Sequence, residues 1–405
     1  MPRILIALLV ALLAAAPVAE AATKKKPSTR EVLVVSNNWA GTADFIDTRT
    51  YKRVKRLNII PDAQERIAEL QSDPQDYGYY LAIRELVGEG NDQYVDDSFT
   101  SPDGRYLYVS RPSFVDVVAF DLRTDRIVWR APVEGNRADH MAISKNGKRL
   151  LVSASTANKV HEIDTATGKI TRSFESGDSP HENNYSNSGK TIFHASIGTV
   201  YTPTDEPSMD DTKGARYFQL VDNKTFKIRK RWDIGQKMEE AGYPDQSAAV
   251  RPMAISPDER FVYMQLSFLH GFAEFDLRKE KIRRVAQLPV RDPNQPREEY
   301  LLDSAHHGLS IDRAGKKLCV AGTMDGYAAI VSRKDFKKFT TIPVGEVPYW
   351  ATNNGNGQVC FVSVAAEDKV AVISYKREKL VREIAVGDHP QRMRMGRIRN
   401  GFLGR

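Results

Sequence analysis

The chain has 405 residues, 41% hydrophobic and 27% charged, with 26 Gly and 20 Pro. This is globular composition, and it excludes collagen, coiled coil and wholesale disorder. Lys and Arg number 59 against 52 Asp and Glu, leaving +7, an excess too small and too dispersed to point to nucleic acid.

Residues 1–22 read as a cleaved export signal. Arg3 precedes an apolar run from Ile4 to Ala16, then Pro17 and the small-residue pattern Ala19-Glu20-Ala21. The apolar run is too short to cross ~30 Å of hydrocarbon, and no later run is longer. The expected product is periplasmic or extracellular, with no membrane span. An oxidising compartment raises the question of Cys319 and Cys360. Counted from Gly315 and Gly357 their positions differ by one residue, which puts the thiols on opposite faces of equivalent strands. The expectation is two unpaired, buried cysteines.

From residue 31 the chain repeats. SPDGRYLYVS, starting at Ser101, recurs as SKNGKRLLVS, SNSGKTIFHAS, SPDERFVYMQ, DRAGKKLCVAG and NGNGQVCFVS, with EVLVVSNN at Glu31 as a seventh copy lacking its turn. The turn positions Gly104, Gly147, Gly189, Glu259, Gly315 and Gly357 step by 43, 42, 70, 56 and 42 residues. A period near forty marks a propeller or solenoid. Each copy reads as four strands joined by hairpin turns, as in MAIS, KRLLVSAS, KVHEID and KITRSFES. The third strand tends to end in Asp (FIDTRT, AFDLRT, EIDTAT, LVDNKT, EFDLRK), placed to hold the next turn's N–H groups. The chain enters on a second strand, and GDHPQRMRMGRI at its end matches the turn and first strand of a repeat. The end is therefore expected to supply the inner strand of the first blade and close one domain over 30–398.

SPDGRYLYVS followed by VVAFDLRTDRI resembles the YVTN family of bacterial propeller repeats: a Gly-containing turn, an apolar strand, an apolar stretch ending in Asp and a further turn. The resemblance covers nearly all of the chain after residue 30 and implies an all-β, seven-bladed propeller of four-stranded antiparallel blades. Similar propellers include lactonases, a streptogramin lyase, haem and copper reductase domains, surface-layer proteins and binding modules, so the resemblance does not select a function.

Four insertions interrupt the period, at 59–96, 199–215, 236–250 and 291–305. In the first, Ile67, Leu70, Tyr80 and Ile83 predict helical segments. All four join strands at one end of the blades and are expected to crowd one face, where loops on a rigid scaffold usually bind.

Residues entering the inner strands line the channel mouth on that face. One position holds Asp96, Asp139, His181, Arg251, His307, Tyr349 and Gln391; the next holds Asp97, His140, Glu182, Trp350 and Arg392 among others. Five of the eight histidines fall within or beside this ring: His140, His181, His306, His307 and His389. These five are the candidates for a divalent or copper-type metal. Without metal, His140, His181, His307 and Glu182 are acid–base candidates, and Arg251 or Arg392 an oxyanion partner. Asp96, Asp97, Asp139, Tyr349, Trp350, Gln391 and Arg392 are the ligand-binding candidates, the aromatic pair as a wall for an organic molecule. His161, His194 and His270 read as structural, and the late run Arg392 to Arg405 as a strand edge and tail.

Gly-x-Ser-x-Gly, Gly-x-x-x-x-Gly-Lys, His-Glu-x-x-His and Cys-x-x-Cys-His are absent from the sequence. Two readings stay open. One is an exported, monomeric propeller that binds a small molecule or protein partner over the channel. The other is a metal-assisted or acid–base hydrolase, lyase or isomerase using the same ring.

Overall fold

A computed structural model describes residues 28–403; the expected signal segment lies outside the described residues. The strands form seven four-stranded sheets. Blades two to seven run in chain order, with inner strands Ser98–Thr100, Ala138–Ile143, Pro180–Tyr185, Val250–Ile255, Gly308–Ile311 and Pro348–Asn353. The first blade takes its inner strand, Pro390–Arg399, from the chain's end. That strand pairs antiparallel with Thr29–Asn37, from Thr29 opposite Arg399 to Asn37 opposite Pro390. Each inner strand contacts its neighbours, and the last contacts Ser98–Thr100 of blade two, so the ring is closed. Among the described residues no helix is long and apolar enough to cross a membrane.

The turn chemistry follows the sequence. Gly104, Gly147, Gly189, Gly315 and Gly357 all sit at φ between +65° and +70°, where a Cβ is strained, and Glu259 holds the same position at +52°. Asp47, Asp121, Asp164, Asp222 and Asp276 each accept backbone N–H groups two or three residues ahead at 2.7–3.2 Å. Their second and third strands are apolar on both faces, because each blade is covered by a neighbour on either side.

The expectation of two unpaired cysteines is overturned. Cys319, in Lys317–Gly322 of blade six, is disulfide-bonded to Cys360, in Val359–Val364 of blade seven. The faces were read correctly and their consequence was not: in a ring, opposite faces of adjacent blades are the two faces that meet. The Cα atoms are 6.5 Å apart, within bridging range.

Residues 59–96 contain helices Ala63–Gln71 and Pro74–Leu86, the second capped by Asp73, whose side chain accepts from the N–H groups of Gln75 and Asp76. Fully buried Arg111 pins this insertion to blade two. Its guanidinium takes Asp116 at 2.8 Å and Asp62 at 2.6 and 3.1 Å. In the third insertion, helix Ile234–Glu240 buries Ile234 and Met238 in the apolar core of blades four and five.

Replacing Cys319 and Cys360 together by Ala is expected to lower unfolding free energy by about 2–4 kcal/mol, for a loop of 41 residues. Denaturant titration measures this, and reductant should shift the wild-type midpoint in the same direction; a midpoint indifferent to both would contradict the bond.

Candidate functional site

A cavity of about 180 Å³ opens at the channel mouth. Its floor is the expected ring: Asp96, Asp139, His181, Arg251, His307, Tyr349 and Gln391 all line it, one from each blade. Of the next position only Arg392 reaches it; Asp97, His140, Glu182 and Trp350 are buried in a layer beneath. Three insertions build the walls: Tyr79, Ile83 and Val87 from the first, Thr199 and Val200 from the second, Leu302 from the fourth. The third, 236–250, supplies no wall residue, and its helix shields apolar blade surface instead.

A backbone device sets the two layers apart. In five blades the inner strand shifts register at these two positions: between Ala138 and Met141, Pro180 and Asn183, Val250 and Met253, Pro348 and Ala351, and at 391–392. Each pair is a bulge, which frees its residues from the ladder and re-aims them. The Ser that ends the repeat phrase steadies it. Ser153 donates to His181 O at 2.8 Å, and Ser363 accepts from Trp350 N–H at 3.0 Å and donates to Gln391 O at 2.7 Å; in blade two, where the strand shows no register shift, the Ser110 hydroxyl likewise accepts from Asp97 N–H at 3.1 Å. Sequence reasoning missed the bulges, although Pro252 inside a strand was a signal for one.

The floor carries mixed charge. Arg392 Nε lies 3.1 Å from Asp96 Oδ2, and Arg137 Nε 3.6 Å from Asp139 Oδ2, which also accepts from Ser155 Oγ at 3.0 Å. Arg251 is different: its Nε donates to Ser267 Oγ at 2.9 Å, and it forms no ion pair among the described residues, though it is 2% exposed. Burial pulls its pKa below the usual guanidinium value. Burial, with Arg392 nearby, pushes the imidazoles of His140, His181 and His307 well below 6.5 and so favours their neutral forms. Burial also raises Asp96, against the pull of Arg392, and lifts Glu182 to about 7 and Tyr349 to about 12. The His307 ring stacks on Tyr349 at 4.1 Å.

Beneath the floor, His140 Nδ1 and Glu182 Oε2 are hydrogen-bonded at 2.8 Å. Arg394 grips Asp97 with bonds of 2.8 and 2.7 Å and lies over Trp350. Arg392 stands in the ring as expected, and the edge-and-tail reading of the arginine run is corrected for Arg392 and Arg394, which lie on the innermost strand of the first blade. Arg137 was also missed, because it sits in the connection before the third inner strand rather than in the repeat.

The five candidate metal-binding histidines do not share one centre. His389 stacks on Trp39 at 3.6 Å, outside the cavity lining. His306 Nε2 and His270 Nδ1 each lie 2.7 Å from Asp325 Oδ2, whose Oδ1 accepts Arg291 N–H; His270 Nε2 meets the Tyr300 hydroxyl at 2.9 Å. This bonded network ties the fourth insertion to blades five and six. Among the described residues, trios whose metal-ligand atoms lie within 4.8 Å of one another are His270, His306 and Asp325, and Asp96, Asp139 and His140.

No protein-family model matches the chain, and no curated protein matches it. Among solved structures it is similar to hydrazine synthase of Kuenenia stuttgartiensis, with TM-score 0.60 and 17% identity over 89% of this chain and 99% of that chain. It is also similar to the dihydro-heme d1 dehydrogenase NirN in complex with DHE, with TM-score 0.54 and 11% identity over 87% of this chain and 63% of that chain. At these identities the likeness carries the seven-bladed fold alone.

The Asp325 network predicts an acid-sensitive anchor. Burial raises this carboxyl, but bonds from His270 and His306 outweigh it and hold the pKa below 3.8. A depressed carboxylate contributes stability fully above its unfolded pKa and loses it as pH falls through the folded value. Asp325→Asn is therefore expected to cost about 2–3 kcal/mol at pH 7, with the gap to wild type narrowing below pH ~4. Urea titrations across pH measure it, and a gap that widens in acid would contradict the network.

Proposed function

We propose that the protein is an exported propeller that binds a small, single-ring organic anion in the channel-mouth cavity. The observation that carries this reading is Arg251: a buried guanidinium with no carboxylate partner, lining a cavity beside the His307–Tyr349 stack. An unpaired buried cation is costly unless a ligand supplies the counter-charge, and a fork of N–H donors matches a carboxylate or phosphoryl group. Three guanidinium groups face two carboxylates across the lining, and the neutral imidazoles add donors without charge. The volume is close to the ~150 Å³ that admits one benzene ring. A macrocycle of the dihydro-heme kind named for one structural neighbour is several rings larger. The signal-like composition of residues 1–22 supports export, which a mature terminus at Ala22 or Thr23 would support further.

A second reading, a hydrolase, lyase or isomerase acting on the same anion, is favoured by the His140–Glu182 hydrogen bond directly beneath the floor. Turnover abolished by His140→Ala would support it.

Calorimetry with benzoate-like and phosphorylated single-ring compounds, against their uncharged amide or ester analogues, tests the binding reading. The expected result is selective binding of the anions and a 10–100-fold loss in Arg251→Gln. The same substitution should raise thermal stability of the ligand-free protein, because it removes an unpaired buried charge. Equal binding of anion and neutral analogue, or unchanged affinity in Arg251→Gln, would overturn it.

A further inference from the structure

We infer that Asp96, Asp139 and His140 form a binding site for a divalent first-row metal ion of the Mn²⁺ or Zn²⁺ class at one side of the cavity floor. The ligand atoms of all three lie within 4.8 Å of one another, and all three residues are buried. The inference stands apart from the organic-anion reading, which rests on Arg251.

The spacing argues for a shared ion. Asp139 Oδ1 and His140 Nε2 are 3.6 Å apart. That is too long for a hydrogen bond, and His140 Nε2 is fully buried without any hydrogen-bond partner. Two donors bonded at ~2.1 Å to a tetrahedral ion stand about 3.4 Å apart. In the His270–Asp325–His306 network the corresponding separations are 2.7 Å, already closed as hydrogen bonds.

Every donor is also held from behind, as metal ligands are. His140 is fixed by the 2.8 Å contact of its Nδ1 with Glu182 Oε2; in the tautomer in which Nδ1 donates, Nε2 keeps its lone pair and points away from that carboxylate. Asp139 is held through its other oxygen, Oδ2, by Ser155 Oγ at 3.0 Å and Arg137. Asp96 is held through Oδ2 by Arg392 at 3.1 Å, and its Oδ1 accepts no hydrogen bond among the described residues. A ligand set of two carboxylates and one imidazole selects the ion's class. Carboxylates suit Mn²⁺, imidazole suits Zn²⁺ and disfavours Ca²⁺, and the absence of thiolate disfavours Cu(I). Asp96 and Asp139 line the cavity, so a bound ion would take its remaining ligands from that side.

The test titrates the metal alone into the full chain after chelator stripping. Calorimetry with Mn²⁺, Zn²⁺ and Ca²⁺, and the Mn²⁺ electron paramagnetic resonance signal, report the binding. The expected result is one saturable site for Mn²⁺ and Zn²⁺, weaker by more than 10-fold for Ca²⁺. Asp139→Asn and His140→Ala should abolish it, and Glu182→Gln should weaken it about 10–100-fold by loosening the imidazole. Circular dichroism identifies any variant that fails to fold, and the wild-type titration decides without it. No saturable site in folded wild type up to about 1 mM metal (a ΔG near −4 kcal/mol) overturns the inference. So does binding that survives in folded His140→Ala and Asp139→Asn, or Ca²⁺ binding as tight as Mn²⁺. Arg251→Gln separates the two readings, since it should keep the ion and lose the anion.

Discussion

The structure depends on giving every blade a neighbour. A four-stranded sheet whose middle strands are apolar on both faces cannot stand in water, and each large side chain buried between blades contributes about 1.5–3 kcal/mol. Tyr263, Phe275 and Phe361 are such contacts, each at most 1% exposed. A stack of blades leaves two wet faces, and a ring leaves none. The pairing of Pro390–Arg399 with Thr29–Asn37 is what converts one into the other. The Cys319–Cys360 bond fastens one of the seven seams covalently.

Closure also explains the site. Seven inner strands converge on one axis, so a single position per repeat becomes a floor of Asp96, Asp139, His181, Arg251, His307, Tyr349 and Gln391. Such a floor concentrates polar groups where water is scarce. Some find partners, Asp96 with Arg392 and Asp139 with Ser155, while burial disfavours charge on the His181 and His307 imidazoles. The Arg251 guanidinium has no ion-pair partner among the described residues, and His140 Nε2, His181 Nδ1, His307 Nδ1 and one terminal nitrogen each of Arg137 and Arg392 have no hydrogen-bond partner.

Much of this was legible in the sequence because repetition makes local signals add. The turn glycines, the Asp at the end of the third strand and the entry and exit phrases fixed blade number, closure and the floor positions. What was hidden depended on how neighbouring units meet. Cys319 and Cys360 were read on the correct faces, but their pairing follows only once blades six and seven are face to face. Arg137 lies outside the repeat, and Arg394 was grouped with the terminal arginine run although its segment was expected to form the innermost strand. The bulges at 139–140, 181–182, 251–252, 349–350 and 391–392 broke the two-face alternation that strand reasoning assumes. Helix Ile234–Glu240 looked like a binding loop by position and is a lining for the core by composition.

The seal on the ring has a consequence for biosynthesis. Asn400 meets Ser28 across 372 residues, so the strand Thr29–Asn37 must wait for Pro390–Arg399 to be made before their sheet is complete. A chain cut before residue 390 keeps six whole blades, yet it has an open seam and lacks Gln391 and Arg392. Premature termination thus yields a product that is at once unsealed, sticky along an exposed strand and missing part of its cavity, a form that proteolysis can distinguish from the finished protein.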